Sequence, residues 1–411
     1  MKIEKSGELN LKWINTSMKQ FFQKNKISIL FFLVGLILQF IYLFNYFKTD
    51  WAISPILTYF NLISLLLLSL AFFLFSVKNK KYIISNVFLL AFLVLTVETV
   101  CFVLLDSPEK YKKDFSLPFL PPEHVANNIG TVPYSDSIYH EVLIKDNDTV
   151  YDVYNTIDHN WKRVTPDFDS SRSKYALFFG CSIAFGQGLE DNETFAYDFQ
   201  QQTNKYNSYN FAYPGYGANQ MLARMEFQNL TEQVKEKDGM AFYLFFMGHV
   251  SRNIGSMDTY VGWASGSPYY FMENGKLKRN KLFKNGRYWV SKFYELVYQT
   301  SIINYFKINF PNKLQPKHYE LTVEVIQASK EKYKEQFGND NFYVILYPSY
   351  KIVPEEDDKL FKQLLTKKGI MYVDLDGFIE YGGKYTLGGD PHPNANTNKM
   401  LVEELIKRLN K

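Results

Sequence analysis

The distribution of apolar residues divides the chain into two parts. Three long apolar runs fill the first quarter, at residues 27–47, 56–77 and 83–105. The first two carry no charge and the third carries one, Glu98. Each is about as long as a helix must be to cross a hydrocarbon core of roughly 30 Å. A buried helical hairpin of a soluble protein is the alternative, but it does not need such uncharged runs. Residues 1–106 are therefore predicted to be a membrane region with three transmembrane helices.

The lysines predict how this region is oriented. Six lysines precede the first run, and three lie between the second and third runs. The loop between the first and second runs has only two charged residues, Lys48 and Asp50. Because positively charged loops stay in the cytoplasm, the N-terminus is predicted to be inside and everything after Leu105 outside. We expect a multi-pass protein of the cell membrane whose C-terminal part is extracytoplasmic, either periplasmic or extracellular. Glu98 is either a functional residue or, as we favour, a carboxylate near the outer edge of the bilayer.

From residue 173 onward, apolar strand-like runs alternate with helix-like segments. The five runs are residues 176–179, 206–211, 240–247, 341–347 and 370–375. This alternation predicts an α/β domain over residues 173–411, built on a parallel, doubly wound sheet. One stretch, residues 255–313, breaks the alternation and is crowded with aromatic residues. We interpret it as an insertion that suits a sugar, an acyl chain or the membrane surface equally well.

The intervening segment, residues 107–172, has two kinds of sequence. Its first part is rich in Pro, Lys and Asn and is predicted to be a linker. Its second part contains short strand-like runs, two of which meet at Lys145–Asp148, a pattern typical of a β-hairpin. We therefore expect a small β element that packs on the α/β domain.

Composition narrows the classes of function. A net charge of +4 over 411 residues gives no reason to expect a nucleic-acid partner. The two cysteines, Cys101 and Cys181, lie in unlike settings, so no disulfide framework is expected. Asp158 and His159 have no second cluster of ligands near them in sequence, so no metal site is predicted.

Two loops of the α/β domain carry the candidate chemistry. The first strand-like run stops at Gly180, and Ser182 follows on a tight turn, where ligands of open α/β sheets bind. Near the end of the chain, Asp390 and His392 lie in a Gly/Pro-rich loop before the last helix. A serine hydroxyl needs an imidazole to take its proton, and the imidazole needs an acid to orient it. The alternative is that Ser182 is only a turn residue. The presence of the Asp–His pair favours a catalytic serine.

Three short blocks resemble those of a known family. Gly180-Cys181-Ser182, Asn210–Gly215 and Asp390-Pro391-His392 are similar in order and spacing to the blocks of the SGNH (GDSL-like) hydrolases, over about Ser173–Lys411. In one block Cys181 replaces the aspartate of the family's Gly-Asp-Ser form. The resemblance implies a flavodoxin-like three-layer sandwich with a five-stranded parallel sheet. It also implies acyl-ester chemistry through an acyl-serine intermediate, without a metal or a cofactor.

The resemblance assigns a role to each site residue. Ser182 would be the nucleophile, His392 the general base and then the acid, and Asp390 the group that orients the imidazole. The backbone N–H groups of Ser182 and Gly215 would hold the oxyanion.

The third oxyanion donor is where the chain departs most from the family. The family has an asparagine just after the third strand, and here that place, one residue past Gly248, is held by His249. Asn253 lies further along the chain. Either His249 replaces the amide as donor or Asn253 reaches back, since side-chain donors vary among oxyanion holes. The alternative is that His249 merely caps the strand, and we favour the donor role.

The expected function is that of a membrane-anchored extracytoplasmic serine esterase acting on acylated envelope glycans or lipids. Two alternatives stay open: an O-acyltransferase acting on an envelope glycan, and a catalytically inactive binding or scaffold protein that keeps the fold. The substitutions at Cys181 and His249 favour an inactive protein, and the retained Ser, Asp and His argue against it. The expected partners are the membrane and the acylated glycan or lipid, and the sequence does not identify protein partners.

Overall fold

A computed structural model describes residues 19–48, 55–78, 82–105, 125–126, 128–348 and 354–410. The chain forms two compact units. The first comprises the N-terminal region, residues 1–110, together with Gln299–Ile308. The second comprises Tyr111–Tyr298 and Asn309–Lys411. A short piece of the predicted aromatic insertion therefore belongs to the N-terminal unit.

The first unit consists of apolar helices. They are α1 (Lys26–Lys48), α2 (Pro55–Lys78) and α3 (Tyr82–Leu104), joined by a short helix of the later segment, Ser301–Tyr305, numbered α11 below. Several hydroxyls of the apolar helices donate to carbonyls of their own helix: Thr96 donates to the Phe92 carbonyl at 2.8 Å and Thr99 to that of Leu95 at 2.7 Å. These bonds lower the cost of placing polar atoms in an apolar surrounding.

Two of these helices are long and apolar enough to cross a membrane, over Asn61–Lys78 and Ile84–Leu104. In the first helix the apolar stretch whose side chains are described, Lys26–Tyr42, is shorter than such a span. The prediction of three transmembrane helices is thus supported for the second and third runs. The side chains of residues 43–47, which complete the first predicted run, lie outside the described part.

The described part of the second unit is an α/β fold with three additional two-stranded antiparallel sheets, β1–β2, β3–β4 and β8–β9. Its strands are β1 (Val125–Ala126), β2 (Gly130–Thr131), β3 (Ser137–Lys145), β4 (Asp148–Ile157), β5 (Lys174–Phe179), β6 (Tyr206–Asn210), β7 (Asp238–Phe245), β8 (Pro268–Glu273), β9 (Lys276–Leu282), β10 (Phe342–Leu346) and β11 (Met371–Asp374). Its helices are α4 (Ser182–Phe185), α5 (Phe195–Thr203), α6 (Ala218–Phe227), α7 (Gly248–Ile254), α8 (Met257–Gly262), α9 (Phe283–Gly286), α10 (Tyr288–Tyr298), α12 (Pro316–Phe337), α13 (Glu355–Lys367) and α14 (Ala395–Leu409).

A five-stranded parallel sheet organises this unit, in the order β6-β5-β7-β10-β11. Counted along the chain within the sheet, this is the order 2-1-3-4-5 of flavodoxin-like folds. The predicted α/β class and the five parallel strands are therefore confirmed. Because all strands run the same way, their carboxyl ends meet at one edge, where the loops that follow β5, β6 and β7 also lie.

Strand β5 shows why the sheet is covered on both faces. Tyr175, Leu177 and Phe179 belong to one core cluster, and Ala176 and Phe178 belong to the other. All five are almost completely buried, because successive side chains of a strand point to opposite faces and both faces are covered. The unbroken apolar run in the sequence is the consequence.

Helices supply the two outer layers. One cluster contains buried side chains of α6, α12 and α13, and the other contains those of α5 and α14. Helix, sheet and helix thus form the three layers that the sequence predicts. The long helix α12 contributes Tyr319, Val323 and Ile326, spaced four and three residues apart, as an amphipathic helix requires.

The hairpin β3–β4 is antiparallel and is closed by a two-residue turn. Asp146 and Asn147, the turn residues, adopt left-handed conformations with φ of 52° and 69°. Two such residues suit the twist of a two-residue hairpin loop, and Asp and Asn tolerate that conformation better than most side chains.

Candidate active site

The turn after β5 places Ser182 at the carboxyl edge of the sheet. Gly180 follows the strand, and a Cβ added to it would lie 2.8 Å from the Cβ of Ala184. Ser182 is the first residue of the short helix α4 and is 8% exposed. Its own N–H has no helical acceptor at this position, and none among the described residues.

Ser182, His392 and Asp390 form one line of contacts. The Oγ of Ser182 lies 2.7 Å from Nε2 of His392, 210 residues further along the chain. Nδ1 of His392 lies 2.5 Å from Oδ1 of Asp390, which also accepts from the His392 backbone N–H at 2.9 Å. With Nδ1–H donating to the carboxylate, Nε2 is free to accept the serine proton. The structure thus brings the three predicted side chains together in the order that nucleophilic catalysis requires.

The loop carrying Asp390 and His392 is held by its own backbone. The N–H of Asp390 donates to the Leu387 carbonyl at 2.7 Å, and the N–H of Leu387 donates to the His392 carbonyl at 2.9 Å. The Tyr381 hydroxyl donates to the carbonyl of Pro391 at 2.8 Å. These bonds fix the imidazole before any substrate is present, which lowers the reorganisation needed during a reaction.

Gly215 supplies the second predicted oxyanion donor. Its N–H, like that of Ser182, has no acceptor within the described part of the chain. Its φ of +81° is a left-handed conformation that glycine adopts without strain. A Cβ at this position would lie 2.8 Å from Cδ1 and 3.0 Å from Nε1 of Trp263. Trp263 therefore borders the predicted oxyanion site.

Trp263 and Arg252 were not identified from the sequence. Trp263 is 45% exposed, and the guanidinium of Arg252 lies 5.9 Å from the centre of its ring. Arg252 also donates to the carbonyl of Tyr216 at 2.9 Å, one residue after Gly215. An exposed aromatic face beside a fixed cation is a surface that a sugar or an acyl chain can contact. The aromatic richness of residues 255–313 was the only signal for this surface.

The structure does not join His249 to the triad. Its ring is fully buried, at 0% exposure, against the rings of Tyr243, Phe245 and Phe246. Nδ1 lies 2.8 Å from the Tyr243 hydroxyl, and Nε2 has no partner among the described residues. Burial lowers the pKa of His249 well below its usual value, so the ring is neutral near neutral pH. A substrate oxygen does not reach this ring unless its neighbours move.

Asn253 lies beside the turn that follows Gly215. Its Oδ1 accepts from the backbone N–H of Asn219 at 3.1 Å, at the start of α6. Its Nδ2 is buried and has no acceptor in the described part of the chain. No hydrogen bond among the described residues links it to Ser182. The identity of the third oxyanion donor, His249 or Asn253, therefore stays a prediction.

Arg163 anchors the loop that follows Ser182. Its buried guanidinium donates to the carbonyls of Phe185 at 3.0 Å, Gly186 at 2.6 Å and Leu189 at 2.5 Å. Its Nε also pairs with Asp191 at 2.9 Å. Burial lowers the pKa of the Arg163 guanidinium, and the pairing with Asp191 opposes that shift. One side chain thus bonds three carbonyls behind Ser182, of which that of Gly186 also accepts from the Leu189 N–H at 3.1 Å and that of Phe185 from Asn210 Nδ2 at 3.3 Å.

Glu141 of β3 completes this support. Its Oε2 accepts from the Gly188 N–H at 3.2 Å and from Asn155 Nδ2 at 2.8 Å. Burial raises the pKa of Glu141, and these two hydrogen bonds oppose the shift. The same hairpin reaches the other loop of the site, because Lys145 Nζ donates to the Gly389 carbonyl at 3.3 Å. The hairpin β3–β4 therefore contacts both the serine loop and the loop before His392.

Among the described residues, no group of three or more His, Cys, Asp or Glu side chains is arranged to hold a metal ion. Cys181 and Cys101 are both buried and unpaired.

The fold and the three side chains define a class: an open α/β protein with a Ser–His–Asp arrangement at the carboxyl edge of a five-stranded parallel sheet. No protein-family model matches the chain, and no curated protein sequence does. Solved structures do align with it. One is a lipolytic protein of the G-D-S-L family from Veillonella parvula, at 10% identity and a TM-score of 0.35, covering 58% of this chain and 99% of that one.

Two further solved structures align with the chain to a similar extent. An acetyl xylan esterase from Geobacillus stearothermophilus is 12% identical with a TM-score of 0.33, covering 57% of this chain and 94% of that one. A salicylyl-acyltransferase from a tetracycline biosynthetic pathway is 13% identical with a TM-score of 0.33, covering 59% of this chain and 56% of that one. Structural similarity at these sequence identities and TM-scores does not assign a function to this chain.

Proposed function

We propose that the chain is a serine esterase that cleaves acyl esters through an acyl-serine intermediate. The observation that carries the proposal is the unbroken line of contacts from Ser182 Oγ through His392 to Asp390. If Ser182 were only a turn residue, no imidazole would be needed beside it. If Asp390 and His392 were only a structural pair, no serine would be needed beside them. All three groups in hydrogen-bonding distance, at the sheet edge where α/β proteins bind ligands, are what an activated nucleophile requires.

The geometry supports a two-step reaction. Ser182 Oγ attacks the ester carbonyl carbon while its proton passes to Nε2 of His392. The oxygen of the carbonyl becomes an oxyanion, for which the N–H groups of Ser182 and Gly215 are the available donors. His392 then returns the proton to the leaving alcohol. Water, deprotonated by the same imidazole, then attacks the acyl carbon, the bond to Ser182 Oγ breaks, and His392 returns the proton to Oγ as the acid leaves. Asp390 stabilises the imidazolium in both steps.

The proposal includes an anchored, extracytoplasmic enzyme. Two helices with the length and composition of membrane spans support the anchoring. The excess of lysine before the first apolar run and after the second supports a cytoplasmic N-terminus, and a third span within residues 27–47 then places the esterase unit outside. At that location the acylated compounds within reach are envelope glycans and lipids, which are the proposed substrates.

The direct test is reaction with a fluorophosphonate, which modifies only an activated serine. We expect the wild-type chain to be labelled, and Ser182→Ala to lose both the label and ester turnover, by about 10⁴-fold or more in rate. Ser329→Ala is the matched control, because Ser329 is also buried but donates to the Val325 carbonyl within α12. Labelling that persists in Ser182→Ala would refute Ser182 as the nucleophile, and an unlabelled wild type would leave a binding protein.

A further inference from the structure

Helix α10 presents its apolar side outward. Trp289, Phe293 and Leu296, at helical spacings of four and three, lie on one face and are all exposed, Trp289 to 82%. Ser291, on the opposite face, is 1% exposed. A helix on a protein in water normally buries its apolar stripe and exposes its polar one. Helix α10 instead exposes its apolar stripe.

The inward face of α10 is held by polar contacts. Ser291 Oγ donates to the Phe283 carbonyl at 3.0 Å, and Glu295 accepts from the Tyr260 hydroxyl at 2.8 Å. The guanidinium of Arg287 lies 5.2 Å from the centre of the Tyr294 ring. These bonds fix the rotation of the helix about its axis. The outward position of the three apolar side chains is therefore built in, and the helix cannot turn them inward without breaking its polar contacts.

The next helix along the chain is tied to a candidate membrane span. Glu98 lies in α3, within the span Ile84–Leu104, and its carboxylate accepts from the N–H groups of Ser301 at 2.5 Å and Ile302 at 3.0 Å. These are the first two residues of α11. Glu98 precedes Leu104 by six residues, which is about 9 Å along a helix. Its partners explain how the carboxylate is tolerated within an apolar helix.

Covalent continuity then limits how far α10 can lie from the bilayer. Helix α10 ends at Tyr298, and only Gln299 and Thr300 separate it from Ser301. Three fully extended residues span at most about 11 Å. The C-terminal end of α10 is thus within that distance of a residue bonded to a membrane helix. Within this distance of the end of α10, the bilayer interface can cover the apolar side chains. Trp side chains are enriched in that interface.

We propose that α10 lies in the membrane interface, with Trp289, Phe293 and Leu296 facing the acyl chains and headgroups. The inference rests on the membrane anchoring proposed above. The helix carries one lysine and one glutamate, Lys292 and Glu295, and they pair with each other at 2.6 Å. The contact with lipid is therefore mainly apolar, and it persists at high salt. It holds the esterase unit against the bilayer, where acylated lipids and membrane-linked glycans are presented.

The test uses the full chain reconstituted in vesicles of phosphatidylcholine and phosphatidylglycerol whose acyl chains are brominated. Brominated lipid quenches tryptophan only where the ring enters the bilayer. The background carries Trp13→Phe and Trp51→Phe, so that the remaining emission comes from the other three tryptophans, Trp161, Trp263 and Trp289. We expect part of this emission to be quenched, at low and high salt alike. The quenched part is lost in Trp289→Phe and retained in the matched Trp263→Phe.

Other results would overturn the inference. Quenching that is unchanged by Trp289→Phe places the helix away from lipid. Unquenched emission together with chemical cross-links between chains at this helix assigns its face to a second copy, and unquenched emission without them assigns it to another part of the chain. Flotation of the same vesicles separates this failure from that of anchoring, since an unanchored chain would not float at all. Turnover is not needed for either readout, so an inactive protein would test the inference equally well.

Discussion

At the scale of single residues, the candidate site depends on a glycine, Gly215, at a position where a larger side chain does not fit. Gly215 combines a left-handed backbone with contact to Trp263, and a methyl group there would have to displace the indole. The N–H of the same residue is a proposed oxyanion donor. A change of one atom at this position therefore acts on the geometry of the donor and on the surface beside it.

Gly215→Ala is expected to lower kcat for ester hydrolysis by about 10²-fold, because moving one oxyanion donor has an effect of that order. Gly369→Ala is the matched control, since Gly369 also has a positive φ, +62°, but nothing within 4 Å of an added Cβ. Both substitutions should reduce stability by about 1 kcal/mol from backbone strain. Steady-state kinetics and thermal unfolding of the two variants check this. Equal kinetic losses in both would mean that Gly215 has no special role.

Asp198 of α5 gives a second residue-scale prediction. Burial raises its pKa to about 7, and its Oδ2 has no partner among the described residues. Because the pKa is higher in the folded than in the unfolded chain, the folded chain binds more protons between about pH 4 and pH 7, and stability falls as the pH rises through this window. Asp198→Asn should therefore stabilise the fold by about 1–2 kcal/mol near pH 8, after allowance for partial solvation, and by little near pH 5.

The measurement is the free energy of unfolding at the two pH values. Asp340→Asn is the control of opposite sign, because the hydrogen bond from Lys334 lowers the pKa of Asp340. That substitution should not stabilise the fold near pH 8. A gain for Asp198→Asn that does not change with pH would contradict the assignment.

At the scale of elements, the hairpin β3–β4 and the segment after it form a support behind Ser182, the proposed nucleophile. Arg163 bonds three carbonyls of the turn that follows Ser182, and Glu141 bonds the Gly188 N–H. This support lies outside the five-stranded sheet, yet it fixes the loop that the sheet presents.

Arg163→Met is expected to destabilise the fold by about 3–5 kcal/mol, because it breaks the ion pair with Asp191 and leaves the Leu189 carbonyl without a donor among the described residues. The remaining folded protein should react more slowly with a fluorophosphonate, since the serine loop is less well held. Arg172→Met is the control, because Arg172 lies at a more open site and bonds the Asp167 carbonyl and Asn207. Denaturant unfolding and labelling rates are the measurements. Similar losses in both variants would exclude a specific support role for Arg163.

Glu98 links two elements, α3 and α11, that are far apart in sequence. Removing its carboxylate in Glu98→Ala leaves the Ser301 and Ile302 N–H groups without acceptors, at a cost of about 1 kcal/mol. Hydrogen exchange at these two amides should rise roughly five-fold in reconstituted protein. Thr99→Ala is the neighbouring control, because the Thr99 hydroxyl bonds only within its own helix. Unchanged exchange in Glu98→Ala would show that the bond does not hold α11.

The sequence allowed the elements of the sheet to be predicted, but not the support behind them. Buried parallel strands are apolar runs, and Asp390 and His392 are neighbours in one loop, so both are visible locally. Arg163 and Glu141 are single charges in strand-like segments, and their partners lie 22 and 47 residues away. Nothing local shows what such a charge will contact. The third oxyanion donor stayed open for the same reason, because it depends on how α7 packs.

At the scale of the whole molecule, the topology is the main prediction. Cys101 and Cys181 are buried, so an introduced cysteine is the accessible thiol. With a membrane-impermeant maleimide, Ser171→Cys, at an exposed position of the second unit, should be labelled in intact cells. Ser6→Cys should be labelled only after permeabilisation, because the N-terminus is proposed to be cytoplasmic. The opposite pattern would invert the orientation and remove envelope glycans as substrates.

The separation of Ser182 from its base has a consequence during synthesis. The ribosome completes the serine loop 210 residues before it adds His392. At translation rates of about 5–20 residues per second, the nascent polypeptide carries the hydroxyl without its proton acceptor for about 10–40 s. During the proposed export, the emerging chain therefore carries no activated serine that could attack the lipids around it. A product released early by a stop codon before position 392 would remain inert for good.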